Sequence, residues 1–256
     1  MKTILITNDD GFDSPALLAL REALAPLGRV IIVAPSSQKS ACGHSLTLTS
    51  PLRFVSVSDD YYKLHNGTPT DCIYLALHSL FADGQRPDVV VSGINLGSNM
   101  GEDTTYSGTV AGAMEGVIAG IPSVAFSQYM ADDNIVKDFA LARKVAFEII
   151  AKILNDGFPL PNRELLNINI PDCKIADFKG YKICELGYRL YGNDAHLHRN
   201  PRGEEYYWLG VHPIEFDERE LGRSDFAAVF DNYASITPLK LNFTSYESLR
   251  SLEKWL

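Results

Sequence analysis

Ile4-Leu5-Ile6-Thr7-Asn8-Asp9-Asp10-Gly11 runs from an aliphatic triplet straight into two adjacent carboxylates. Consecutive aliphatic residues without polar alternation suit a strand buried on both faces, as in parallel sheets. Pro15 to Leu27 then shows helical periodicity, and a second aliphatic run follows at Val30 to Ala34. The pattern repeats. Aliphatic runs at Val89 to Val91, Val124 to Phe126 and Leu165 to Ile170 alternate with helical segments at Asp71 to Phe81, Thr109 to Ala119 and Val136 to Leu154. This alternation predicts an α/β fold, a doubly wound and mainly parallel sheet with helices on both faces.

The texture changes near Gly180, which sets an expected division into a catalytic core over residues 1–180 and a C-terminal arm or oligomerisation segment over residues 181–256, packing back on the core. Tyr188, Tyr191, Tyr206, Tyr207 and Trp208 sit among Gly, Asn, His and Arg with weak periodicity, so this part is not expected to add to the sheet. An aromatic arm needs a surface to bury against, and it could cover the site, embrace a second subunit or form a lobe of its own. The tail Phe243 to Leu256 reads as a short amphipathic helix with Tyr246, Leu249, Leu252 and Trp255 on one face.

With 256 residues, 46% hydrophobic and 21% charged, the composition is that of a folded globular protein. A net charge of -9 offers no long-range attraction to duplex nucleic acid or an anionic membrane surface. An anionic substrate must therefore be captured locally, by a cation, a helix N-terminus or backbone amides. Cys42, Cys72, Cys173 and Cys184 have neither zinc-ligand spacing nor the density of a disulfide scaffold, and read as reduced structural thiols. The apolar run at Ile4 is cut off by Asn8-Asp9-Asp10, too early for a signal peptide, and no stretch reaches transmembrane length. A cytoplasmic protein is the expectation.

Two carboxylates side by side at a strand end repel each other unless a cation offsets them. The competing reading is a helix cap, but Asp13 or Ser14 before Pro15 can do that work, which leaves Asp9 and Asp10 for metal ligation. The loop after Val30 to Ala34, Pro35-Ser36-Ser37-Gln38-Lys39-Ser40-Ala41-Cys42-Gly43, could be a plain polar loop. At a switch in strand order it would instead face Asp9, with Ser40 as a neutral oxygen ligand. After Val89 to Ser92 come Gly93-Ile94-Asn95-Leu96-Gly97-Ser98-Asn99-Met100-Gly101 and Tyr106-Ser107-Gly108-Thr109-Val110-Ala111-Gly112-Ala113. Ser107-Gly108-Thr109 opens a helix whose free amides and dipole favour phosphate, against the plainer reading of a Gly-rich packing loop. Neither a P-loop nor the dinucleotide fingerprint is present, which argues against a nicotinamide-dependent oxidoreductase.

Thr7-Asn8-Asp9-Asp10-Gly11, Asn66-Gly67-Thr68-Pro69-Thr70-Asp71-Cys72, Ser92 to Gly97 and Tyr106 to Val110 occur in the order of the signature motifs of the SurE family of nucleoside-monophosphate phosphatases, and Ser235-Ile236-Thr237-Pro238-Leu239 extends the resemblance to nearly the whole chain. The resemblance implies that Asp9, Asp10, Ser40 and Asn95 hold one divalent cation, magnesium or manganese. It also implies a Rossmann-like core, an exchanged C-terminal arm, and homodimers or homotetramers. Ser224 before Asp225-Phe226, where threonine is expected, and Phe230-Asp231-Asn232-Tyr233, which lacks the usual glycine, depart from the family in the arm. The expected activity is release of phosphate from nucleoside 5′-monophosphates, and 3′-monophosphates, by direct attack of water. Asn95, Ser107, Gly108 and Thr109 would hold the phosphoryl group, and Asp9 or Asp10 would orient the water. Adjacent rather than alternate aspartates argue against an aspartyl-phosphate enzyme. A non-catalytic nucleotide or metal sensor is the alternative from another class. The six histidines, His44, His65, His78, His196, His198 and His212, are scattered; His196 and His198 could lie near the site on the arm, against the commoner reading of solvent-facing loop histidines.

Overall fold

Strand β1 (Thr3–Thr7) sends its aliphatic side chains to both sides of a sheet. Ile4 and Ile6 pack with Leu17, Leu20, Val145 and Ile150 on one face, and Leu5 packs with Val33, Ile73 and Val90 on the other. The structure is a computed structural model describing residues 1–81, 84–131, 138–191, 195–209, 215–217 and 223–256.

After β1 come α1 (Pro15–Leu24), β2 (Arg29–Pro35), β3 (Arg53–Ser58), β4 (Tyr61–His65), α2 (Pro69–Ser79), β5 (Val89–Leu96), α3 (Gly108–Ile118), β6 (Ser123–Gln128), α4 (Ala140–Asp156) and β7 (Glu164–Ile170). The remainder is β8 (Tyr181–Ile183), β9 (Arg189–Leu190), β10 (Ala195–Arg199), β11 (Glu205–Leu209), β12 (Glu215–Phe216), α5 (Asp225–Phe230), β13 (Ala234–Lys240) and α6 (Tyr246–Trp255). The main sheet has the order β3-β4-β2-β1-β5-β6-β7-β13-β8. From β4 to β7 every pairing is parallel. Helices α1 and α4 cover one face, and α2 with α3 the other, as expected of a doubly wound fold.

The differences from expectation have local causes. Helix α1 gives way to a 3-10 turn at Ala25–Leu27 because Pro26 cannot extend the α-helix. Ser14 occupies the N-cap of α1 without a side-chain capping bond, so Pro15 and its fixed φ start that helix unaided. Helix α2 begins two residues before Asp71, where Thr68 and Asp71 form a capping box and Pro69 takes the first helical position. The expected start of α4 at Val136 lies outside the described residues.

The expectation that the sheet ends near Gly180 is corrected by β8 and β13. Strand β13 runs antiparallel to β7, from Ser235 opposite Asn169 to Lys240 opposite Glu164, and β8 pairs on its far side. An edge left open by the last parallel strand is thereby covered. The hairpin of β3 and β4 closes the opposite edge.

Strand order reverses at β1, with β2 on one side and β5 on the other. In open α/β sheets ligands bind outside the carboxyl ends of the strands flanking such a reversal. Asp9 follows β1, and Asn95 is the next-to-last residue of β5.

Candidate functional site

Four segments meet at this reversal. The loop after β2 is tied to the end of β1 by a bond from the Lys39 amide to the Asp9 carbonyl, at 2.7 Å, which places Ser40 one residue beyond. Farther along, the Gly43 amide donates to the Tyr106 carbonyl, at 2.9 Å, joining the same loop to the segment before α3. The Leu96 amide donates to Asp10 Oδ2 at 3.3 Å, so the end of β5 lies against the acidic pair.

Helix α3 is seated by its small residues. A Cβ added to Gly112 would stand 2.7 Å from Thr7 Cγ2 and 2.8 Å from Ser92 Oγ, so glycine lets the helix press onto β1 and β5. One turn earlier a Cβ on Gly108 would stand 2.8 Å from Asp9 Cβ, 2.9 Å from Asp9 Oδ2 and 2.9 Å from Cys42 Sγ. The glycines therefore pack the helix onto the sheet, and their packing aims the helix mouth at Asp9. Ser107 caps the helix by accepting from the Val110 amide at 3.0 Å, which leaves its hydroxyl proton to donate outward.

Asp9 is buried, and its Oδ1 accepts the Thr109 hydroxyl at 2.5 Å. Burial raises its carboxyl pKa; the Thr109 hydroxyl and the amides at the mouth of α3 act against that shift. A carboxylate held in this state gains from a nearby cation. Cys42 beside it is pushed up to about 11, first by burial and then by the charge of Asp9.

Asn95 owes its position to a bulge. Between Ser92 and Asn95 β5 has one residue more than β6, which re-aims the following side chain. Asn95 Nδ2 donates to the Gly97 carbonyl at 2.7 Å, turning the amide so that Oδ1 remains as a donor atom. Ser40 is exposed and its Oγ accepts from Gln38 Nε2 at 3.0 Å. Asp9, Asp10, Ser40 and Asn95 all carry oxygen donors and lie on segments that meet at this reversal, and that chemistry fits a hard divalent cation. Among the described residues no group of three or more His, Cys, Asp or Glu is placed to hold a metal.

Several supports of the site escaped the sequence reading. Asp71 accepts from both the amide and the hydroxyl of Thr47, at 2.9 and 2.6 Å, and Thr68 Oγ1 donates to the Ser45 carbonyl at 2.8 Å. The Asn66 to Cys72 motif is thus an anchor for the loop that carries Ser40. Asn99 is pinned through its amide to Asn169 Oδ1, at 2.7 Å, and through its carbonyl to Nδ2 of Asn167 and Asn169. The signal was available: Asn167 and Asn169 interrupt an otherwise apolar strand, and buried amides require partners. Asp225 accepts from the amides of Gly101 and Gly187, both at 2.9 Å, and so bolts the segment before α3 to the arm.

The arm is buried at α5 and β13 and open to solvent elsewhere. Hairpin β10–β11 leaves Trp208 66% exposed, and α6 leaves Trp255 80% exposed on the same apolar stripe as Tyr246, Leu249 and Leu252. His196 and His198 lie on this exposed hairpin, where His198 stacks on Tyr206. His44 pairs with Glu115 at 3.0 Å. His78 bonds to the Tyr74 carbonyl. His212 lies outside the described residues. No described helix is long and apolar enough to cross a membrane.

Comparison with known proteins follows the same lines as the geometry. A family model described as Survival protein SurE matches residues 4–193. A protein named 5′-nucleotidase SurE from Wolinella succinogenes is 64% identical, with all of both chains covered. One of the same name from Helicobacter hepaticus is 59% identical over 100% of this chain and 99% of its own. The crystal structure of the SurE protein from Aquifex aeolicus superposes with a TM-score of 0.83 at 42% identity, covering 99% of each chain. On the strength of this full-length similarity and a shared fold, the chain belongs to the SurE family.

Proposed function

We propose that the chain is a 5′-nucleotidase that hydrolyses nucleoside monophosphates to nucleoside and phosphate, with 3′-monophosphates also accepted, and that it depends on a divalent cation held by Asp9, Asp10, Ser40 and Asn95. The observation that carries the reading is the convergence of two carboxylates with the mouth of α3 at the strand-order reversal. The names of the full-length relatives support the same activity. When bound, magnesium or manganese supplies neutralisation of phosphoryl charge and lowers the pKa of a coordinated water.

The chain's own residues do the rest. The amides of Gly108 and Thr109, the Ser107 hydroxyl and the Asn95 side chain bind the phosphoryl oxygens, where the helix dipole favours developing negative charge. They share that terminus with Asp9, so substrate binding needs the cation to offset the carboxylate. Asp9 is buried with one oxygen committed to Thr109, whereas Asp10 is half-exposed. That difference supports Asp10 as the group that orients the attacking water and Asp9 as the anchor of the cation.

Phosphate release from a panel of 5′- and 3′-monophosphates, run with and without a chelator, tests the proposal. Turnover of the 5′ series that chelation abolishes is expected. Tight nucleotide binding without phosphate release would instead make the chain a sensor.

The arm supports a further part of the reading, assembly as a homodimer or homotetramer by exchange of C-terminal segments. Exposed aromatic residues on β11 and a one-sided apolar stripe on α6 need a partner surface. Light scattering at micromolar concentration is expected to give the mass of a dimer or larger. A uniform monomer would contradict it.

A further inference from the structure

Thr109 differs from its neighbours at the helix mouth in where its side chain goes. Its backbone belongs to the first turn of α3, but its hydroxyl turns inward to Asp9 Oδ1, and the residue has no exposed surface. Asp9 is itself only 4% exposed, so bulk water cannot replace that bond if it is lost. The other oxygen, Oδ2, faces the Cα side of Gly108, where an added Cβ would stand 2.9 Å away. The amides of Gly108 and Thr109 also bond to this carboxylate, so two successive residues of one helix restrain it.

We infer that Thr109 is a positioning residue that acts through Asp9: its hydroxyl fixes the plane of the carboxylate that anchors the cation. The inference rests on the metal-dependent reading given above and moves the Thr109 side chain from the phosphoryl group to the carboxylate. A carboxylate free to rotate about its last side-chain bond must be ordered when the cation binds, whereas one already held is not, and hydrogen-bond partners of metal ligands are typically worth about 10–100-fold in metal affinity. Removing the hydroxyl should consequently show in cation binding before it shows in substrate binding.

The test is manganese affinity, read without nucleotide from the electron paramagnetic resonance signal of free Mn(II), on the full chain and on Thr109→Val and Thr109→Ser. Val keeps the branched shape and loses the hydroxyl; Ser keeps the hydroxyl. Thr109→Val is expected to weaken manganese binding by about 10-fold or more, while Thr109→Ser stays within about threefold of the parent. At saturating manganese Thr109→Val is expected to lose less in KM for adenosine 5′-monophosphate than it loses in manganese affinity. Parental manganese affinity in Thr109→Val would overturn the inference, as would equal losses in both variants or a loss confined to KM. If Thr109→Val does not fold by circular dichroism, Thr109→Ala gives the same comparison. A parent chain that neither binds manganese nor releases phosphate would overturn the metal reading itself, which is a distinguishable result.

Discussion

Asp9→Asn is expected to lower kcat/KM for nucleoside monophosphates by about a thousandfold or more at saturating manganese, and Asp10→Asn by a comparable factor, because each removes a full charge from the centre where phosphoryl charge is offset. The fold should survive both changes. Asparagine is isosteric with Asp9, and the Thr109 hydroxyl that now donates to Oδ1 can rotate to accept from an amide nitrogen instead. Burial raises the pKa of Asp9, so the folded chain without metal disfavours its charge. Replacing it by a neutral side chain should leave the thermal midpoint of the metal-free protein equal to or above that of the parent. The two aspartates should then separate in binding. Asp9→Asn, at the buried anchor, is expected to lose manganese affinity more than Asp10→Asn. Unchanged kcat/KM in both variants at saturating metal would remove the acidic pair from the mechanism.

Gly108→Val is the second large effect, and its comparison with Ser107→Ala separates backbone recognition from side-chain recognition. Even the first carbon of a side chain at Gly108 would stand within 3 Å of Asp9 Cβ, Asp9 Oδ2 and Cys42 Sγ, so α3 would have to back away from the acidic pair. Its amides would leave the phosphate position with it. Ser107→Ala removes one hydroxyl donor and one helix cap, worth about 1 kcal/mol of stability, but leaves the amides in place. The expected losses in kcat/KM are about a thousandfold for Gly108→Val and about tenfold for Ser107→Ala. Inorganic phosphate with manganese should raise the melting temperature of the parent and of Ser107→Ala, because it binds only the native site, and should fail to do so for Gly108→Val. Equal phosphate protection of all three proteins, with near-normal activity of Gly108→Val, would put the phosphate elsewhere.

The central sheet could be read from sequence because its strands are buried on both faces. Ile4 to Ile6 and Val89 to Val91 have no polar alternation, and that is the mark of parallel strands between two helical layers. The edges could not be read in the same way. Strands β3 and β4 are half-exposed and mix Ser, Lys and Tyr with Val and Phe, so their pattern competes with that of an ordinary loop. Strand β13 contains Pro238, which argues against a strand between two neighbours unless its missing N–H falls where no ladder bond is needed.

At the site, residue types with one dominant chemistry were legible: paired aspartates at a strand end and a small-residue helix start. What could not be read were bonds between distant segments, such as Thr109 to Asp9, Thr47 to Asp71 and Gly101 to Asp225, because sequence spacing carries no information on which groups meet across separations of 24 to 124 residues. Thr109 shows the consequence. Sequence placed it on the phosphate as a whole residue, and the structure turns its hydroxyl to the carboxylate.

The most direct measurement is phosphate release from adenosine 5′-monophosphate by the parent and Asp9→Asn, first after chelation and then after manganese is returned. The account predicts that the parent falls silent on chelation and recovers with manganese, while Asp9→Asn stays silent at every manganese concentration at which the parent is saturated. Turnover by the parent that persists through chelation, or full recovery of Asp9→Asn, would contradict a cation held at the end of the first strand.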